Sequence, residues 1–165
     1  MIRICITSAL AVLLTGCAAN GPTYREHQRS LQPVAPNSAR LILYRTGDTM
    51  LGAGRAARVK IDGNAVGHVD SKGFAIFETP AGSRKIQTDL WDVPGSCSVS
   101  IDAVAGDTYY FEVAPLPGSL VAGIMAGVVG QMAEGASSNC SGSFGVTRAP
   151  ASRARSDLQP LMLSK

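Results

Sequence analysis

His68 and Asp70 stand two residues apart, a spacing that could support acid–base chemistry. On a β-strand, residues i and i+2 lie on the same face, so the two side chains can interact. A general base also needs a nucleophile and a pocket, and no G-x-S-x-G element supplies them. The other histidine, His27, is far away in sequence and lies in a polar stretch. We therefore predict no catalytic activity, no metal site and no cofactor.

The thiol of Cys17 is a second reactive group, and it follows a short apolar stretch, Ile4 to Leu14. At about 1.5 Å per residue this stretch cannot cross a bilayer core of roughly 30 Å, and it is typical of a signal peptide. Residues 14–17, LTGC, look like a bacterial lipobox, in which the cysteine thiol accepts a diacylglyceryl group and becomes the mature N-terminus. Two or more acyl chains anchor a protein stably. We predict a signal peptide over residues 1–16 and a membrane anchor at Cys17.

The residue after the predicted anchor is Ala18. In envelope lipoproteins, Asp at this position is the usual signal for retention in the inner membrane. By that analogy the sequence favours the periplasmic face of the outer membrane over the inner membrane.

Four cysteines occur in the chain, at positions 5, 17, 97 and 140. Cys5 leaves with the signal peptide and Cys17 carries lipid, so Cys97 and Cys140 remain alone. In an oxidising compartment two such thiols usually pair. We predict a disulfide between them, with two buried free thiols as the alternative.

Alternating apolar and polar residues run from Ala39 to Ala114, interrupted by turn residues such as Asp62-Gly63-Asn64. They form seven short segments at roughly ten-residue spacing, a pattern that favours a small antiparallel β-sandwich. We predict a flexible tether over residues 17–38, a sandwich domain over 39–148 and a C-terminal tail over 149–165. The residues SGSFGVTR predict a further edge strand, and the tail predicts a short helix that begins near Pro150.

The sandwich segments carry a family resemblance. ARLILYR, VKIDGNAVG, the G-F…P-A-G turn and AGDTYYFEV occur in this order between Ala39 and Val113. In these features the chain resembles bacterial lipoproteins built on the domain of unknown function 2846. The resemblance implies an all-β sandwich of the transthyretin-like or carboxypeptidase-regulatory-like kind, and it implies no substrate.

An apolar, glycine-rich segment covers residues 119–133, between the two predicted disulfide cysteines. It favours a short helix inserted before the last strand, and that helix is too short to cross a bilayer. Ser119, Gly123 and Gly127 recur every four residues and form a contact face of the kind that lets helices approach closely. Three environments remain open: its own sandwich, a partner that is another copy or an envelope protein, and the lipid layer.

The net charge is only +3, so the composition does not suggest nucleic-acid binding. We expect a non-catalytic, membrane-anchored lipoprotein of the bacterial envelope that serves as a structural or accessory binding module. The alternative is a self-associating or membrane-active lipoprotein that acts through the helix 119–133. Contact points are expected at the edge strand near Phe144 and the loop of Trp91, although the single tryptophan fits a core role equally well.

Overall fold

Two β-sheets pack face to face, with helices on the outer side of one of them. The computed structural model describes residues 19–47, 54–116 and 139–165. The predicted all-β sandwich is confirmed, and the seven segments predicted between residues 39 and 114 are all strands. In chain order, the described residues form α1 (Tyr24–Ser30), β1 (Ser38–Tyr44), β2 (Ala57–Ile61), β3 (Asn64–Val69), β4 (Gly73–Pro80), β5 (Gly82–Leu90), β6 (Val93–Ala103), β7 (Thr108–Pro115), β8 (Asn139–Cys140), β9 (Phe144–Ala149), α2 (Ala151–Leu158) and β10 (Met162–Leu163).

The first sheet has the strand order β10-β4-β1-β7-β9, and the second has the order β3-β2-β5-β6-β8. The second sheet is antiparallel throughout, as expected. The first sheet differs, because β1 runs parallel to β7 and β10 runs parallel to β4. Strands β2 to β6 lie between β1 and β7 along the chain, and this long connection allows the two strands to pair in parallel. The edge strand predicted in SGSFGVTR is β9, at the edge of the first sheet.

Strand β1 is buried on both faces, as its unbroken apolar run predicts. Leu41 and Leu43 point into the main core between the two sheets. Ile42 and Tyr44 point the other way, into a second core beneath the helices. Strand β6 shows the alternation expected of a strand with one buried face, although Ser98, expected to face outward, is also buried.

The second core covers the outer face of the first sheet. It is formed by side chains from both helices, from strands β1, β4, β7 and β9, and from the segment after α2: Tyr24, Ile42, Tyr44, Phe74, Tyr110, Ala149, Ala154, Leu158 and Leu161. The predicted C-terminal helix is α2, which begins after Pro150 and ends at Leu158, shortly before Pro160. Strand β10 then pairs with β4. The C-terminal residues 149–165 are therefore part of the packed fold.

Residues 19–38 differ from the predicted flexible tether. Thr23 and Glu26 form a reciprocal capping box that starts α1, which satisfies backbone donors at the helix end. The ring of Tyr24 is buried and meets Phe74 edge to face at 5.3 Å. His27, expected to be a solvated linker residue, lies 5.9 Å from the same Phe74 ring. This segment is attached to the sandwich because the buried ring of Tyr24 is part of the second core.

Candidate functional site

The disulfide predicted between Cys97 and Cys140 is present. The two cysteines lie opposite each other, where the short strand β8 pairs with β6. Cys97 is fully buried in the main core, and Cys140 packs against that core from the edge. The bridge therefore fastens residues after position 138 to the second sheet.

Two glycines allow the backbones to approach beside this bridge. A Cβ atom at Gly95 would stand 2.2 Å from the carbonyl oxygen of Ser141, and the residue has a φ of +100°. A Cβ at Gly142 would stand 2.8 Å from the Cα of Ser96. Both obstacles are backbone atoms that cannot rotate away, so only glycine fits. These positions set the spacing at which Cys97 and Cys140 can pair.

His68 and Asp70 lie at the end of β3, with 3.6 Å between Nε2 of the histidine and Oδ2 of the aspartate. This separation exceeds that of a normal hydrogen bond. The side chain of His68 is 39% exposed. The hydroxyl of Ser164 accepts a hydrogen bond from the backbone N–H of Asp70. The geometry fits a surface pair beside a turn, and the described residues contain no group of three metal-binding side chains.

Asp89 is the buried carboxylate with the closest charged partners. Arg58 donates through Nε to its Oδ1 at 2.5 Å, and Lys60 approaches its Oδ2 to 2.7 Å. Burial alone would raise the pKa of Asp89, but the hydrogen bonds and charges of Arg58 and Lys60 hold the pKa below its usual value. Arg58 and Lys60 belong to β2, and Asp89 belongs to the neighbouring strand β5. These ion pairs therefore join two paired strands, which explains the buried carboxylate without a catalytic role.

A groove of about 720 Å³ opens along one side of the sandwich. It lies between β6 and the β7–β9 pair, and its lining includes Ser100, Asp102, Tyr109 and Arg148. Strand β8 covers β6 only at residues 97 and 98, so no described strand pairs with the outer edge of residues 99–103. An open strand edge can accept an extended peptide as an additional strand.

Tyr109 lines this groove and connects it to the β6–β7 turn. Its hydroxyl donates to the carbonyl oxygen of Asp102 at 3.3 Å and accepts from the N–H of Val104 at 3.0 Å. The guanidinium of Arg148 lies 4.9 Å from the centre of the Tyr109 ring. Arg148 and Asp102 thus bring opposite charges to the mouth of an otherwise neutral groove.

Arg45 is buried at the opposite end of the strands, directly after β1. Its Nη1 donates to the carbonyl oxygens of Arg55 at 2.6 Å and Val69 at 3.2 Å. Its guanidinium also lies 4.4 Å from the centre of the Phe144 ring. Arg45 therefore connects the first sheet to the start of β2 and the end of β3 in the second. Phe144, expected as a contact point on an edge strand, is instead buried beneath this cation.

A family model described as "Protein of unknown function (DUF2846)" matches residues 35–123, more than half of the 165-residue chain. The chain belongs to the DUF2846 family. The match confirms the family resemblance and includes all of strands β1 to β7. No curated protein and no solved structure matches the chain. In this DUF2846 protein, strand β9 and helix α2 lie beyond the matched residues. One of the two disulfide cysteines, Cys140, and four of the twelve residues that line the groove are therefore outside the family match.

Several predicted site residues of this DUF2846 protein lie outside the described ranges. They are Cys17 and the contact face of Ser119, Gly123 and Gly127. Within the described ranges, no helix combines the length and apolar character needed to cross a bilayer.

Trp91 is described, and it is not a core residue. Its side chain occupies the turn between β5 and β6, and the residue is 80% exposed. From the sequence, Trp91 fitted either a core role or a contact role. The structure excludes the core role, because the side chain lies on the surface.

Proposed function

We propose that this DUF2846 protein is a non-catalytic lipoprotein of the bacterial cell envelope, anchored to the outer membrane through Cys17 and facing the periplasm. Its sandwich serves as a structural or accessory binding module. The observation that carries the proposal is the Cys97–Cys140 disulfide. Structural disulfides persist in oxidising compartments, to which a signal peptide delivers a chain. The bridge and the LTGC sequence thus support the same destination.

The side groove supports the binding role. It combines an uncovered strand edge on β6 with polar side chains and one charge of each sign. Backbone groups at such an edge can bind a partner's main chain, while Arg148 and Asp102 select among partners. The His68–Asp70 pair contributes nothing to this role, since it lies at the opposite edge of the same sheet.

Mass spectrometry of the mature N-terminal peptide tests the anchor. We expect a peptide that begins at Cys17 and carries diacylglycerol together with an amide-linked acyl chain. A Cys17→Ala variant should keep its signal peptide and carry no lipid. An unmodified peptide that begins elsewhere would contradict the proposed anchoring.

Membrane separation on a density gradient tests the location. The native chain should sediment with outer membrane, and an Ala18→Asp variant should move to the inner-membrane fractions. Ala18→Ser is the matched control and should behave like the native chain. If the native chain and Ala18→Asp occupy the same fractions, the proposed outer-membrane location loses its basis.

Site-specific photocrosslinking in intact cells tests the groove. A photoreactive residue at Ser100, on the uncovered edge of β6, should crosslink to a partner protein. The matched position is Ala65, an exposed residue on β3 at the other edge of the same sheet. Equal crosslinking at Ser100 and Ala65, or none at Ser100, would count against the groove as a binding surface.

A further inference from the structure

We propose that one end of the sandwich, defined by the β3–β4 turn at Ser71, the β5–β6 turn at Trp91 and Leu116, lies against the phospholipid membrane. In this orientation the indole of Trp91 enters the interfacial layer of the bilayer. The inference rests on the proposed lipidation of Cys17. We call this end the Trp91 end.

Strand directions place these elements at the same end. In the first sheet, Tyr44 at the end of β1 pairs with Phe74 at the start of β4 and with Glu112 near the end of β7. In the second sheet, Ala57 at the start of β2 pairs with Val69 at the end of β3, and Leu90 pairs with Val93 around the turn that carries Trp91.

Arg45 shows that the two sheets end together here. It follows β1 in the first sheet, and it donates to Val69 O in the second. A depression of about 260 Å³ at the same end is lined by Arg55, Leu90, Leu116 and Phe144, which come from both sheets. The turns of β3–β4 and β5–β6 therefore share one surface of the molecule.

Ala19, which follows Cys17 by two residues, is held at this end. The N–H of Ala19 donates to the carbonyl oxygen of Ser71 at 3.1 Å, and the N–H of Gly21 donates to Leu163 O at 3.0 Å. Ala19 is buried. Only Ala18 separates Ala19 from Cys17 in the sequence, and two residues of chain span at most about 8 Å. An acylated Cys17 would hold the β3–β4 turn at the headgroups with no spacer between them.

Trp91 then lies close to the same membrane. Its strand β5 is the second neighbour of β3, so it stands about 10 Å to the side of β3 at a strand spacing of about 4.8 Å. Tryptophan favours the membrane–water interface, since its ring is apolar and its N–H can still bond to water or headgroups. The adjacent Asp92 is paired with Arg55, so its charge does not oppose contact with lipid.

Charge at the two ends favours the same orientation. The β3–β4 turn carries the exposed Lys72, which anionic headgroups attract. The opposite end carries exposed charges of both signs, among them Asp107 and Lys85, so its charge does not favour contact with anionic lipid.

The test uses the full, lipidated chain in vesicles of phosphatidylethanolamine and phosphatidylglycerol. Trp91 is the only tryptophan, so its fluorescence reports on this end alone. We expect the emission to shift to shorter wavelength on reconstitution, bromine-labelled lipids to quench it, and quenching by aqueous acrylamide to fall at least about twofold.

The matched control moves the tryptophan to the other end. A Trp91→Phe/Val104→Trp double variant places the indole at Val104, which is 57% exposed in the β6–β7 turn. Both changes fall on exposed turns, so the fold should be unaffected. In this variant acrylamide should quench as in free solution, and brominated lipids should have no effect.

Three results would overturn the inference. In the first, acrylamide quenches Trp91 in vesicles as strongly as in free solution. In the second, brominated lipid quenches the tryptophan at position 91 and the tryptophan at position 104 equally. In the third, Trp91 is protected from acrylamide but is not quenched by brominated lipid, which indicates that a protein partner or a second copy covers it. Acylation of Cys17 is measured by mass spectrometry on the same sample in each case. If acylation is found and Trp91 stays in water, this inference fails while the proposed lipoprotein function survives.

Discussion

Reduction of the Cys97–Cys140 bridge should lower the free energy of unfolding by about 4 kcal/mol. The bridge closes a loop with a sequence separation of 43 residues. In the chain-entropy model, a loop of this size removes roughly 13 cal/mol/K of entropy from the unfolded chain. At 25 °C this entropy corresponds to the expected free energy.

The folded protein should survive reduction. Cys97 is held in β6, which pairs with β5 without interruption from Ser96 to Ala103, and its side chain lies in the main core. Strand β8 is only two residues long and depends most on the bridge. Most of the effect should therefore come from the larger freedom of the unfolded chain.

Urea unfolding of residues 18–165, exported behind a signal without a lipobox, measures the effect with and without reductant. The same polypeptide is compared in both states, so no side chain is exchanged. A Cys140→Ser variant should match the reduced chain, and reductant should not change its stability further. If the oxidised and reduced chains differ by less than about 1 kcal/mol, or if both thiols react with iodoacetamide before reduction, the reasoning is refuted.

Three further changes test other parts of the fold. Thr23→Ala removes the cap of α1 and should lower the unfolding free energy by about 1 kcal/mol, whereas Thr23→Ser keeps the hydroxyl and should stay near the native value. Phe144→Ala opens a cavity beneath Arg45 and should lower the free energy of unfolding, measured by chemical denaturation, by about 3–5 kcal/mol. The control Val104→Ala, at an exposed position, should lower it by less than about 0.5 kcal/mol. Asp89 has a lowered pKa in the folded state, so its contribution is present above about pH 4 and is lost as the pH falls through the folded pKa. An Asp89→Asn variant should lack that part of the acid-induced loss of stability, and an unchanged pH profile would contradict the assignment.

Local periodicity in the sequence predicted the strands and their buried faces. The alternation of Cys97, Val99, Ile101 and Ala103 matches their burial, and the unbroken ARLILYR run matches the two-sided burial of β1. These features depend on neighbouring residues alone. The sequence could therefore specify them without knowledge of the tertiary partners.

Sequence periodicity could not predict which distant segments contact each other. The parallel pairing of β1 with β7 and the burial of Arg45 depend on contacts between distant segments. Helix α1 was missed although Thr23 and Glu26 carry the spacing of a capping box, because the segment is polar apart from Tyr24. The capping box was the signal that could have found it. The two-residue strand β10 is too short to show any period.

The position of β1 in the first sheet has a consequence for how the chain becomes folded. A polypeptide is synthesised from its amino end, so β1 emerges long before β7, its parallel neighbour. Until then Leu41, Ile42 and Leu43 form an apolar strand without a complete sheet around it. Such a segment is prone to aggregation, and closing distant strand pairs slows folding. During synthesis, a chain of this topology should therefore need more protection from aggregation than one in which each strand pairs with the preceding strand.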